Sequence, residues 1–217
     1  SAAGPMDPRR GRNVVAWLVH RGLLAPEQVV APEPVGLEAL LRVHDRAYLE
    51  SVERRETLER ILPGLLDGVS VEQVLRWQRR VVGGTVAAAR EALRSGRPAI
   101  TLGGGLHHAH ADRGEGFCVF NDVAVAIATL RAEGFTGRVL VVDLDVHPGN
   151  GTRSIFRDDP DVFTFSIHGA DWDEVEAVAD RSIALGSGVG DALLLQTLDA
   201  ELPSVLAEAR HDLAFFV

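Results

Sequence analysis

Two short stretches concentrate the residues able to do hydrolytic chemistry. The first, GGGLHHAHADRGEGFC, sets His107 and His108 side by side, after three glycines that let the backbone turn sharply and approach a ligand. The second, VVDLDVHPGNGT, places Asp143, Asp145 and His147 at alternate positions. Side chains alternate along a strand, so extended backbone through these positions would project all three from one face. Two carboxylates and an imidazole so placed would suit a divalent metal. A lone carboxylate at a strand end is commonly a helix cap, and a lone histidine is commonly a hydrogen-bonded structural residue. Two such clusters, each at a strand exit, point instead to metal-dependent hydrolysis.

The elements that must position these clusters follow from the apolar pattern. The runs PAITL (98–102), RVLVVDL (138–144), DVFTFSI (161–167) and DLAFFV (212–217) read as buried strands. Between them NDVAVAIATLRAEG and DALLLQTLDAELPSVLAEA read as helices, the second interrupted at Pro203. Upstream, a helix is expected over 12–22 ending at Gly22, and another from about residue 36 through GLEALLRVHDRAYLESV. A long helix is expected from Val71 to Leu93. Ser70 and Gln73 form its capping box, and Gly96 with Pro98 its stop. Strands separated by helices predict an α/β fold, a mostly parallel sheet flanked by helices in three layers, with ligands at the carboxyl ends of the strands.

Composition narrows the chemistry. The 217 residues carry 22 basic side chains, every one an arginine. Without lysine, Schiff-base chemistry, pyridoxal phosphate anchoring and the P-loop lysine have no residue to operate through. A net charge of −9 argues against a nucleic-acid partner and leaves cationic partners open. No apolar run reaches the roughly 18 residues of a spanning helix, and the start has no secretory apolar core, so the expected location is cytoplasmic and off the membrane. A homo-oligomer stays open. Cys118, the only cysteine, excludes an internal disulfide and a cysteine-rich zinc site.

On GGGLHHAHADRGEGFCVFNDVAVAI and VLVVDLDVHPGNGTRSIFRDDPDVFTFSIHG, with looser matches in LLRVHDRAYLESV and RRVVGGTVAAAREAL, the chain resembles the zinc-dependent histone deacetylases. That family includes bacterial deacetylase-like amidohydrolases and acetoin-utilisation proteins, and DRGEGFC with Pro148 is similar to its class IV branch. The resemblance implies the arginase/deacetylase-like fold and hydrolysis of an acyl amide, on an acetyl-lysine protein or peptide or on an acetylated polyamine. It implies Asp145 and His147 as ligands of one zinc ion. His107 and His108 become the tandem pair, with His108 the general base and acid, Asp143 behind His107 and Asn150 behind His108. Gly116 and Phe117 would line the acyl-lysine tunnel. One potassium would be held by oxygens of Asp143, Asp145, His147, Ser166 and Ile167, and a second near Phe156, Asp159 and Val162. A carboxylate behind one histidine and an amide behind the other should push their pKa values apart.

The family's third zinc ligand, an Asp past the strand matching DLAFFV, and its carbonyl-polarising Tyr have no counterpart before Val217, and its first strand would precede Met6. Residues 1–217 are therefore expected to be one catalytic domain, incomplete at the C-terminus and clipped at the N-terminus. The competing readings are a small-molecule acetylpolyamine amidohydrolase, favoured by the acidic surface, an arginase-like manganese ureohydrolase with two metals, and a binding module without catalysis. Among the other candidates, Cys118 is expected to pack rather than attack, and His110 to serve its loop. GSGVGD (186–191) follows no convincing strand and is expected to be a turn before a helix. His20, His44 and His211 read as surface or structural residues, and Tyr48 as structural. His168 is expected to end a strand, and Trp172 is a candidate for the tunnel rim.

Overall fold

A computed structural model describes residues 9–169 and 179–217. A helical half comes first. It comprises α1 (Arg10–His20), a 3-10 turn (Pro26–Gln28), α2 (Leu37–Leu40), α3 (Arg46–Ser51), α4 (Arg55–Ile61), α5 (Val71–Ser95) and α6 (Asp122–Ala132). The chain then alternates through β1 (Val139–Asp143), α7 (Asn150–Phe156), β2 (Val162–His168), β3 (Arg181–Ala184), α8 (Asp191–Ala209) and β4 (Leu213–Phe216). The four strands form one all-parallel sheet in the order β3-β2-β1-β4.

Alternation along β1 sorts the layers. Val139 and Val141 face Val123, Ala124 and Ile127 of α6 and Phe156 of α7, while Leu140 and Val142 pack with Val205 and Ala209 of α8. Both sheet faces are thus covered, the expected three-layer α/β arrangement. A third core, built on Leu58, Val82, Val86, Phe120 and Leu130, joins the early helices to α6.

Several elements match the sequence reading. Ser70 Oγ accepts from the Gln73 amide at 3.2 Å, and the Gln73 side chain accepts from the Ser70 amide at 3.1 Å, starting α5; Gly96 ends it at φ 64°. The turn at 186–190 leads into α8, and His168 closes β2.

Four expectations are corrected. PAITL forms no strand: Ile100 is 83% exposed and its backbone joins none of the described ladders. The single helix from residue 36 is broken between α2 and α3. There Asp45 donates its amide to Ala111 and His44 turns inward to bond two other segments. Pro203 does not interrupt α8, which continues through it with one backbone bond fewer. The GSGVGD turn does follow a strand, since β3 ends at Ala184. Among the described residues that strand pairs only with β2, and it is half-buried, so its sequence carries a weak apolar pattern.

Candidate active site

The tandem histidines do not sit at a strand exit, because the strand expected before them is absent. Instead the start of α6 holds their loop. Asp122 accepts backbone amides from Gly105 (3.1 Å) and Leu106 (2.7 Å), and the Thr85 hydroxyl of α5 at 2.5 Å. Asn121 caps α6 through Ala124 at 2.9 Å and donates to Ala109 O and Thr152 Oγ1, each at 3.0 Å. The start of α7 closes against the same loop, with the Thr152 amide on His107 O at 3.0 Å. A Cβ at Gly151 would lie 2.3 Å from Ala109 O, so glycine permits that approach. Sequence reasoning assigned no role to Asn121 or Asp122; the Asn-Asp pair ahead of an apolar helix was the available signal.

Asp143, the last residue of β1, links the two clusters. Its Oδ2 accepts from His107 Nδ1 at 2.7 Å and its Oδ1 from the Asp145 amide at 3.1 Å. His108 Nδ1 donates to Asn150 Oδ1 at 2.6 Å, and the Asn150 amide nitrogen donates onward to Glu115. The two imidazoles are buried with centroids 4.2 Å apart. Burial opposes charge on His107, but the Asp143 carboxylate outweighs it and the ring titrates above its ordinary value. Burial, then the neighbouring His107, push His108 below its ordinary value. The expected separation of the pair is present. It leaves one ring inclined to hold a proton and the other inclined to accept one.

Asp145 and His147 reach the pair by a route other than the one expected. The extended backbone stops at Asp143, and residues 144–149 bend away. Asp145 Oδ1 accepts both the His147 amide (2.8 Å) and His147 Nδ1 (2.9 Å), while His107 Nε2 lies 3.9 Å from the same oxygen. The His147 ring stands 5.5 Å from that of His108. Burial works against the Asp145 anion, but the His147 amide and the nearby rings hold its carboxyl below the usual range. One carboxylate oxygen and one imidazole nitrogen therefore converge beside the tandem pair, a donor set that suits zinc. No group of three such ligands occurs among the described residues.

Gly116 (φ 55°) and Phe117 (φ 66°), the expected tunnel residues, both hold left-handed backbone. A Cβ on Gly116 would lie 2.5 Å from His108 Cδ2, so the backbone lies directly against the ring. Phe117 holds a left-handed conformation unusual for a bulky residue, anchored by its amide on Ile61 O at 3.2 Å, with its ring exposed. Cys118 is buried, and burial pushes its thiol up to about 12, unsuited to attack.

The expected potassium residues divide. Asp143 pairs in register with Ser166, whose buried hydroxyl has no hydrogen-bond partner among the described residues, and both line a void of about 10 Å³. The buried Arg153 lines it too. Near the second set, the Asp159 carboxylate binds Arg131 at 2.5 and 3.1 Å, and the Phe156 carbonyl accepts from the Asp159 amide at 3.0 Å.

The remaining candidates have structural roles. His110 is a buried loop residue whose carbonyl accepts from His44 Nδ1 at 2.9 Å. His44 is buried, not on the surface, and its Nε2 accepts from the Asn121 amide at 3.1 Å. Tyr48 donates its hydroxyl to Val119 O at 2.6 Å. Trp172 lies outside the described residues.

Comparison with known proteins identifies the family and the fold. The histone deacetylase domain matches residues 4–213. An uncharacterised protein of Picosynechococcus is 36% identical over 92% of this chain and 66% of its own length. Histone deacetylase 2 of Arabidopsis thaliana is 34% identical over 98% of this chain and 57% of its own. The crystal structure of a histone deacetylase homologue from Aquifex aeolicus superposes with a TM-score of 0.74 at 25% identity, covering 94% of this chain and 60% of that one. The chain thus spans less than two thirds of the length of these relatives.

Proposed function

Since this chain belongs to the histone deacetylase domain family, we propose that it carries the acid-base half of a zinc-dependent deacylase acting on an acylated lysine in a protein or peptide. The observation that carries the reading is the tandem pair. Two buried imidazoles in contact have opposite partners, a carboxylate behind His107 and an amide behind His108, and open onto Asp145 and His147.

Asp145 and His147 would hold the zinc, which supplies Lewis acidity to the acyl carbonyl. His108, kept neutral by burial and by its charged neighbour, takes the proton of the attacking water on Nε2 while Nδ1 stays bonded to Asn150. It then returns that proton to the departing amine. His107, whose hold on a proton the Asp143 carboxylate strengthens against burial, would place positive charge where negative charge develops on the substrate whenever the ring is protonated. Gly116 and Phe117 would guide the acyl chain, Phe117 through its exposed ring. Potassium held by oxygens of Asp143, Asp145, His147, Ser166 and Ile167 would use the Ser166 hydroxyl, which has no hydrogen-bond partner among the described residues, although Arg153 lines the same void and opposes a cation. The net charge of −9 supports a second substrate class, acetylated polyamines.

The test is hydrolysis of an acetyl-lysine peptide and of acetylspermidine by the zinc-loaded protein, with His108→Ala alongside. Loss of at least about 100-fold in kcat is expected for that variant. Undiminished turnover would refute the assignment, and the ratio of kcat/KM between the two substrates decides the substrate class.

A further inference from the structure

The Asn150 amide could face His108 in either of two ways. Its oxygen can accept from Nδ1–H, or its NH2 group can donate to a bare Nδ1 with the ring proton moved to Nε2. A neutral imidazole satisfies both arrangements equally well, so nothing in the His108–Asn150 contact chooses between them. The choice matters, because only the first leaves Nε2 able to take a proton.

We propose that Glu115 makes that choice, acting as a positioning residue that fixes the direction of the Asn150 amide and, through it, the tautomer of His108. The inference rests on the general-base role proposed above for its consequence, but its geometry stands independently. Glu115 Oε1 meets the nitrogen end of the amide. A carboxylate accepts and does not donate, so the NH2 group must face it and the oxygen must face His108. The carboxylate is itself held in place. Its Oε2 lies 3.8 Å from Arg113 Nε and its Oε1 3.5 Å from His110 Nε2. Its backbone is fixed by the Cys118 amide on Glu115 O at 2.8 Å, in a bridge between Glu115 and Cys118. The residue that sets the base therefore comes from the DRGEGFC loop, 35 positions before the asparagine it orients.

The test is long-range proton–nitrogen NMR of the histidine rings in the whole chain, labelled with nitrogen-15, which reads each tautomer directly. The native protein should show His108 as a single Nδ1–H tautomer. Glu115→Leu removes the acceptor, and about half of the molecules should then carry the proton on Nε2, since the amide has two near-equivalent orientations. The double variant Glu115→Gln with Asn150→Asp exchanges amide and carboxylate. The carboxylate introduced on α7 can accept both from His108 Nδ1–H and from the amide introduced on the loop, so the single Nδ1–H tautomer should return. In turnover, Glu115→Leu should lower kcat about two-fold with KM unchanged, in step with the share of rings still able to take a proton on Nε2. A native Nε2–H tautomer, or an Nδ1–H signal unaltered in Glu115→Leu, would overturn the proposal. The spectra need no substrate. A chain inert towards every acylated amine would therefore sink the hydrolytic reading while leaving this one standing.

Discussion

His44 makes the fold sensitive to mild acid in a way that can be measured. The ring is 2% exposed and lies between three segments. Its Nδ1–H donates to His110 O at 2.9 Å, and its Nε2 accepts the Asn121 amide at 3.1 Å. This pattern requires the neutral ring, because a proton on Nε2 would point at a donor already there. Burial accordingly lowers the pKa from 6.5 to about 4, against smaller upward pulls from the His110 and Ala111 backbone and from Asp45. The other rings packed on it, Tyr48 and Phe120, bring no charge. The folded value lies below the unfolded one, so the unfolded chain binds more protons between them. Stability is then fully present above pH 6.5 and lost as the pH falls towards 4. At roughly 1.4 kcal/mol for each pH unit, the loss across that window is about 3 kcal/mol. The assay is urea denaturation at intervals from pH 7 to 4, comparing the native chain with His44→Gln, whose amide can donate to His110 O and accept from Asn121 but does not titrate. The variant should show about 3 kcal/mol less pH dependence. Parallel curves for the two proteins would refute the reasoning.

Two further outcomes concern ions. Zinc should raise the melting temperature of the native chain, by the equivalent of about 2.7 kcal/mol at a hundred times its dissociation constant, and the rise should vanish in Asp145→Ala. An equal rise in the variant would place the zinc elsewhere. Potassium chloride should stabilise the protein over sodium chloride at equal ionic strength, and Ser166→Ala should reduce the difference if the orphaned hydroxyl is a ligand. No difference between the salts in the native chain would remove potassium from that void.

The sequence was legible where chemistry and pattern are local. His107 and His108 are adjacent, and Asp143, Asp145 and His147 share one short stretch, so their types and spacing already point to the two clusters that the structure brings together. β1 and β2 were legible because every residue in them is buried, which leaves an unbroken apolar run flanked by turns. PAITL has the same pattern and fails, because a strand also needs a neighbour to pair with. The order β3-β2-β1-β4 provides none for it among the described residues. What could not be read is the set of contacts that hold the loop of the tandem histidines. His44 reaches Asn121 across 77 positions, Thr85 reaches Asp122 across 37, and Asn150 reaches Glu115 across 35. Each joins ordinary polar residues whose meaning depends on which segment arrives opposite, and neither hydrophobic periodicity nor motif spacing encodes that. The site therefore has two sources of order. The sheet delivers Asp143 by strand alternation, which a sequence displays, while the tandem histidines are held by side chains bonded to loop backbone. Substitutions at Asn121, Asp122 or His44 should therefore disturb the imidazole pair more than changes within PAITL, despite lying outside the motifs that reveal the chemistry.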